Sequence, residues 1–185
     1  SREDFADFFG VITELAVEAE QRVAEMARQR DSEQQKGEPL SPRNLSDINR
    51  KLAGIRVADM IKRQACLKVS QGGGGELVFY ELFISMNDVR DRVANNINLF
   101  ASPWLFQYLT ETLDRRMLSV LMAQNLAILT DPISINLNIA TILSPGFQSF
   151  HESAGASAKN IIIEMQTIDI FANMTAYENA SAWLH

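Results

Sequence analysis

Two glutamates and one asparagine stand late in short apolar runs of this chain. Glu81 closes Leu77-Val-Phe-Tyr-Glu81, Asn136 sits in Asp131-Pro-Ile-Ser-Ile-Asn-Leu-Asn138, and Glu164 follows Asn160-Ile-Ile-Ile163. In an α/β fold the C-terminal ends of parallel strands line the functional crevice. Two carboxylates and an amide gathered there offer hard oxygen donors, which suit Mg²⁺ with water completing its shell. A cation so held polarises a phosphoryl oxygen and makes hydroxide from bound water. The same residue types at strand ends also serve as plain surface groups, so the elements that carry them decide the matter.

Residues 1–30 read as a long N-terminal helix. Phe5, Phe8, Ile12, Leu15, Ala19 and Met26 follow a heptad that Arg22 interrupts, which suits either packing on its own domain or a dimerising coiled coil. The polar stretch 31–43, with Gly37, Pro39 and Pro42, reads as a linker, and 44–185 as the main domain. Ser46 is the expected cap of a second helix bearing Ile48, Leu52, Ile55 and Ile61 and ending at Lys62 and Arg63. Ala65–Val69 reads as a strand, and Gln71–Gly75 as a hairpin turn leading into Glu76–Ile84. That glycine run opens no helix and lacks the Lys-Ser/Thr of a phosphate loop. Residues 86–101 read as an irregular, Asn-rich connection. Ser102-Pro103 and Ser144-Pro145 each open a helix, the first running to about Gln124. Between and after these helices come strands at Ile133–Leu137 and Ile161–Ile163, the latter expected to be buried on both faces, and then a last helix from about Asn173. The β-α-β-α-β-α alternation from the second strand onward implies parallel pairing with right-handed crossovers.

The 185 residues suffice for one domain with a real core, and 46% hydrophobic with 22% charged residues is ordinary for a globular protein. A formal charge of −6 disfavours non-specific binding to nucleic acid or to anionic membranes. Cys66, the one cysteine, excludes an intrachain disulfide and a cysteine-built zinc site, and the expected compartment is cytoplasmic. No apolar run approaches membrane-spanning length.

Taken in order, Tyr80-Glu81-Leu82-Phe83, a proline-initiated helix, Ser134-Ile-Asn136-Leu-Asn138 and Ile162-Ile-Glu164 resemble the EAL domain family. That family comprises cyclic-di-GMP phosphodiesterases and inactive relatives built on a modified TIM barrel. The similarity runs from roughly Ala65 onward; each motif is weak alone, and their order and placement carry the match. It implies a partial EAL-type barrel with a parallel sheet and flanking helices. It also places Glu81, Asn136 and Glu164 on three of the family's divalent-metal positions, with Mg²⁺ the implied ion.

The departures are chemical. Ile84-Ser85 stands where the family has an apolar residue and a phosphate-binding Arg, and a hydroxyl cannot replace that charged fork. The family's Gln-Pro at the first strand is not evident around Val69-Ser70-Gln71. Thr167 replaces the second Glu of Glu-Leu-Thr-Glu, and no Asp-Asp pair occurs anywhere in the chain. The family's catalytic lysine and last conserved Glu belong beyond His185.

The expectation is therefore a catalytically inactive regulatory or interaction domain, with no catalytic residue and no cofactor-binding residue assigned. Its partner would be a protein or a second copy, since a half-barrel leaves an apolar edge at Ile161–Ile163. Cyclic-di-GMP is the candidate small ligand. One competing reading is the N-terminal part of an active phosphodiesterase. Another is a purely structural interaction module. Asp169 is read as a helix cap in preference to a further ligand near Glu164, His151 as a surface residue, and Arg115-Arg116 as a solvated pair.

Overall fold

A computed structural model describes residues 37–69, 75–124 and 131–184. The expected N-terminal helix, the first part of the linker and the tip of the glycine turn lie outside these residues.

Chain entry is fixed earlier than the sequence suggests. Strand β1 (Glu38–Pro39) pairs in parallel with β4 (Ile97–Asn98). Leu40 is already buried, so residues 38–43 are held against the domain and do not act as linker. Helix α1 spans Pro42–Ala53 and is capped by Ser41, not Ser46. The Ser41 hydroxyl accepts from Asn44 N, and the Asn44 side chain accepts from Ser41 N at 2.7 Å. Leu45, Ile48 and Leu52 form its buried stripe. The helix stops before Gly54, and a single 3₁₀ turn (Val57–Met60) redirects the chain. Ile61, Lys62 and Arg63 therefore belong to strand β2 (Ile61–Val69), correcting the expected longer helix.

β2 and β3 (Gly75–Ile84) form an antiparallel hairpin, with an irregularity in register between Cys66 and Leu67. Beyond it, residues 86–101 are not irregular. Ser85 caps helix α2 (Met86–Val93) by accepting from Asp88 N, and Val89 and Val93 are buried one turn apart. Lys62 of β2 reaches Asp88 of α2 at 2.8 Å. Helix α3 (Pro103–Ala123) begins at the expected Ser-Pro step and is about 32 Å long. Its first half packs Leu105, Leu109 and Leu113 with α1 and α2. Its second half packs Met117, Leu118 and Leu121 with the sheet and the later helices.

Strands β5 (Ile133–Asn136) and β6 (Ile161–Glu164) complete a four-stranded sheet in the order β2-β3-β5-β6. β3, β5 and β6 are parallel, and β2 is antiparallel. The architecture is thus α/β with a mixed sheet and flanking helices; among the described residues the sheet does not close into a barrel. Helices α4 (Ile139–Ile142) and α5 (Pro145–Ala154) connect β5 to β6, and α6 (Thr167–Ala172) and α7 (Met174–Leu184) follow. No described helix is long and apolar enough to cross a membrane. β6 is a sheet edge, and Ile162 is 41% exposed, so this run is not buried on both faces as expected. Ile135, fully buried, belongs to the second core with side chains from α3 to α7. Ile135→Ala should cost about 2–5 kcal/mol of unfolding free energy, read from urea denaturation. A loss under about 1 kcal/mol would mean that the sheet and helices do not share this core.

Candidate functional site

The strand registers decide which face each residue takes. Glu81 pairs with Ser134, and Asn136 pairs with Glu164. Laterally paired residues share a face, as do residues two apart along a strand. Glu81, Ser134, Asn136 and Glu164 therefore all lie on one side, opposite Ile133 and Ile135 and their covering helices.

Within that face the three are not equivalent. Asn136 and Glu164 are immediate neighbours, and Leu137 N donates to Glu164 O at 2.9 Å, continuing the ladder past them. Glu81 stands two residues earlier in the register and two strands from Glu164. Strand spacing and rise put the Glu81 and Glu164 Cα atoms about 12 Å apart. Among the described residues, no group of three or more His, Cys, Asp or Glu converges as a metal cage. The donor set is one amide and one carboxylate at paired strand positions, with a second carboxylate farther down the wall. Such a set fits a hard cation that keeps several of its own waters.

The end of this face opens into a cavity of about 160 Å³, lined by Phe83, Met86, Phe106, Thr110, Asp114, Asn136, Asn138, Gln166 and Asp169, among others. Two carboxylates organise it: Asp114, which the sequence left unassigned, and Asp169, read there as a helix cap. Asp114, on α3, accepts from Asn138 N at 2.8 Å, Asn138 Nδ2 at 2.7 Å and Thr141 Oγ1 at 3.1 Å. Asp169, in the first turn of α6, accepts from Ile139 N at 2.6 Å and from Gln107 Nε2 at 3.0 Å. Both carboxylates thus grip the start of α4, where the leading N–H groups of Asn138 and Ile139 donate to them. Asp169 does cap a helix, but it caps α4 and lies across the chain from it. Asn138 also donates to Thr110 Oγ1 at 3.1 Å, tying the β5–α4 turn to α3 again.

Asp114 had one readable signal, a charge within the stripe Leu113, Met117, Leu118 and Leu121. Its partners, 24 and 27 residues away, had none. The other titratable and aromatic candidates stay apart. His151 is exposed beside Trp183, and Trp104 and Tyr108 are exposed on α3. The two arginines are not a uniformly solvated pair, because Arg116 is half-buried and donates to Leu52 O at 3.0 Å, binding the C-terminal end of α1. Ser85, in the place of the expected phosphate-binding Arg, is occupied as the cap of α2.

Burial raises the Asp114 carboxyl above its ordinary value of 3.8; the three donated hydrogen bonds pull against that rise, and the charge of Glu111 adds to it. A carboxyl whose folded value is raised holds its proton longer in the folded state. Its contribution to stability is present below 3.8 and is lost as pH rises through the raised value. Asp114→Asn keeps an acceptor oxygen for Asn138 and removes this loss. Thermal melts should show the wild type falling behind Asp114→Asn as pH climbs from below 3.8 to neutral. Parallel pH profiles for the two proteins would contradict the raised value.

Comparison of the chain with protein-family models, with characterised proteins and with solved structures found no match.

Proposed function

We propose that this chain is an EAL-like regulatory domain that does not hydrolyse cyclic-di-GMP and works through protein contacts. The observation that carries the reading is the common face of Glu81, Asn136 and Glu164. They occupy three successive parallel strands, toward the ends of β3, β5 and β6, on the side away from the helices. A barrel wall presents its interior in that way. Asn136 and Glu164 would hold Mg²⁺, with Glu81 reaching it through water. The bound ion would supply charge stabilisation to a phosphoryl oxygen.

The groups needed to complete hydrolysis are not matched. Ser85 caps a helix and carries no charge for a phosphate, Thr167 is the first residue of α6, and the sequence holds no Asp-Asp pair for a second ion. Contacts are favoured by the β6 edge, where Ile162 is 41% exposed, and by Ile168 and Phe171 on the following α6, 73% and 75% exposed. Among the described residues this edge is unpaired, and an open edge beside apolar side chains is a ready template for another chain. A second copy is the occupant we favour.

Incubation with cyclic-di-GMP and Mg²⁺ should yield no linear dinucleotide, and product release above background would overturn the inactive reading. Mn²⁺ should raise the melting temperature of the wild type and not that of an Asn136→Ala/Glu164→Gln variant. If neither metal nor nucleotide shifts the melt, the face holds no ligand and the domain is a structural module. In sedimentation the wild type should be a dimer and Ile162→Lys a monomer; a monomeric wild type at micromolar concentration would remove the second copy.

A further inference from the structure

The cavity at the strand ends has a chemistry that the metal reading does not use. Asp114 is 8% exposed, yet all three of its hydrogen bonds arrive at Oδ2. Among the described residues no donor reaches Oδ1, and the residue lines the cavity. Oδ1 is not among the side-chain oxygens sealed from solvent without a partner, so it is open to a donor that enters this part-apolar cavity. Asp169 lines the same space, so two carboxylates face it, and no Lys or Arg is among the described lining residues. Phe83, Met86 and Phe106 supply apolar wall, and Asn136 and Gln166 supply amides. The volume, about 160 Å³, compares with the roughly 150 Å³ cavity known to admit a single benzene ring.

We propose that this cavity is a binding site for a small organic cation of the amidinium or guanidinium class, held by Asp114 Oδ1 at its floor and by the aromatic wall of Phe83 and Phe106. A planar fork of N–H donors satisfies the open carboxylate oxygen and forms charge-assisted bonds stronger than neutral ones. Aromatic faces attract the same cation. Anions are excluded by the two carboxylates, and a neutral ring would leave Oδ1 unpaired. The site shares Asn136 with the metal reading, while Glu81 and Glu164 take no part in it. The cation comes either as a free small molecule or as the arginine side chain of a bound peptide.

The test uses the full chain and heteronuclear amide NMR with benzamidine, its neutral counterpart benzyl alcohol, and N-acetyl-arginine methylamide. Benzamidine should shift the resonances of Thr110, Asn138 and Gln166 and saturate in the millimolar range, while benzyl alcohol should not. Asp114→Asn keeps the bond to Asn138 and should weaken benzamidine at least about tenfold. Phe106→Ala, which thins the wall without touching the carboxylate, should weaken it as well and serves if Asp114→Asn does not fold. Tighter binding of the arginine amide would assign the site to a peptide side chain, and tighter binding of benzamidine to a free cation. Equal binding of benzyl alcohol and benzamidine, undiminished binding by both variants, or no response to either cation would overturn the proposal.

Discussion

Strand β5 is paired on both edges, and its alternation is the constraint on which the sheet and the candidate site both rest. Ile133 and Ile135 go to the helices, while Ser134 and Asn136 go to the other side. Side-chain direction has a period of two, so a one-residue slip would put Asn136 into the core and Ile135 onto the opposite face. Packing two isoleucines thus sets the height of Asn136 relative to Glu164 and to Glu81. No separate device is needed to bring the amide and the carboxylate side by side.

The second constraint acts at the turn that leaves β5. Helix α4 has four residues, too few to stand by hydrogen bonding of its own. It is held from outside by a carboxylate on α3 and another on α6. Those bonds link elements that share little sequence neighbourhood, and they join the end of β5 to the segment after β6. The cost is a buried charge on Asp114, met by three donors on one oxygen.

Much of the architecture was legible, for local reasons. The Ser-Pro steps at 102–103 and 144–145 name helix starts because proline needs no N–H at the first position. The same device at Ser41-Pro42 was hidden inside a polar run that reads as linker. Helix α2 was obscured by Asn87, Asp88, Arg90, Asp91 and Arg92, which outnumber its buried pair Val89 and Val93. The triple isoleucine of β6 reads as buried on both faces only if a further strand or layer covers it, and that depends on neighbours outside the run. That Glu81, Asn136 and Glu164 stand late in their strands was legible; their common face was not, because it depends on which residues pair across strands. The clasp of Asp114 and Asp169 was not legible either, because hydrogen bonds spanning 24 and 30 residues leave no periodic trace.

The hairpin outgrows its sheet. β5 meets β3 only from Tyr80 onward, so among the described residues Gly75 to Phe79 and their partners on β2 extend alone, a ribbon about 16 Å long. Leu67, Val69, Leu77 and Val78 along it are exposed, so little packing adds to the ladder bonds. A two-stranded ribbon of this kind is marginal by itself. Few contacts therefore oppose its local opening, which can occur with the sheet intact and on a free-energy scale below that of global unfolding. The base of the ribbon is anchored differently, by the Arg63 guanidinium stacked 3.4 Å from the centre of the Tyr80 ring. The division between rigid wall and yielding arm therefore falls at Tyr80, one residue before Glu81.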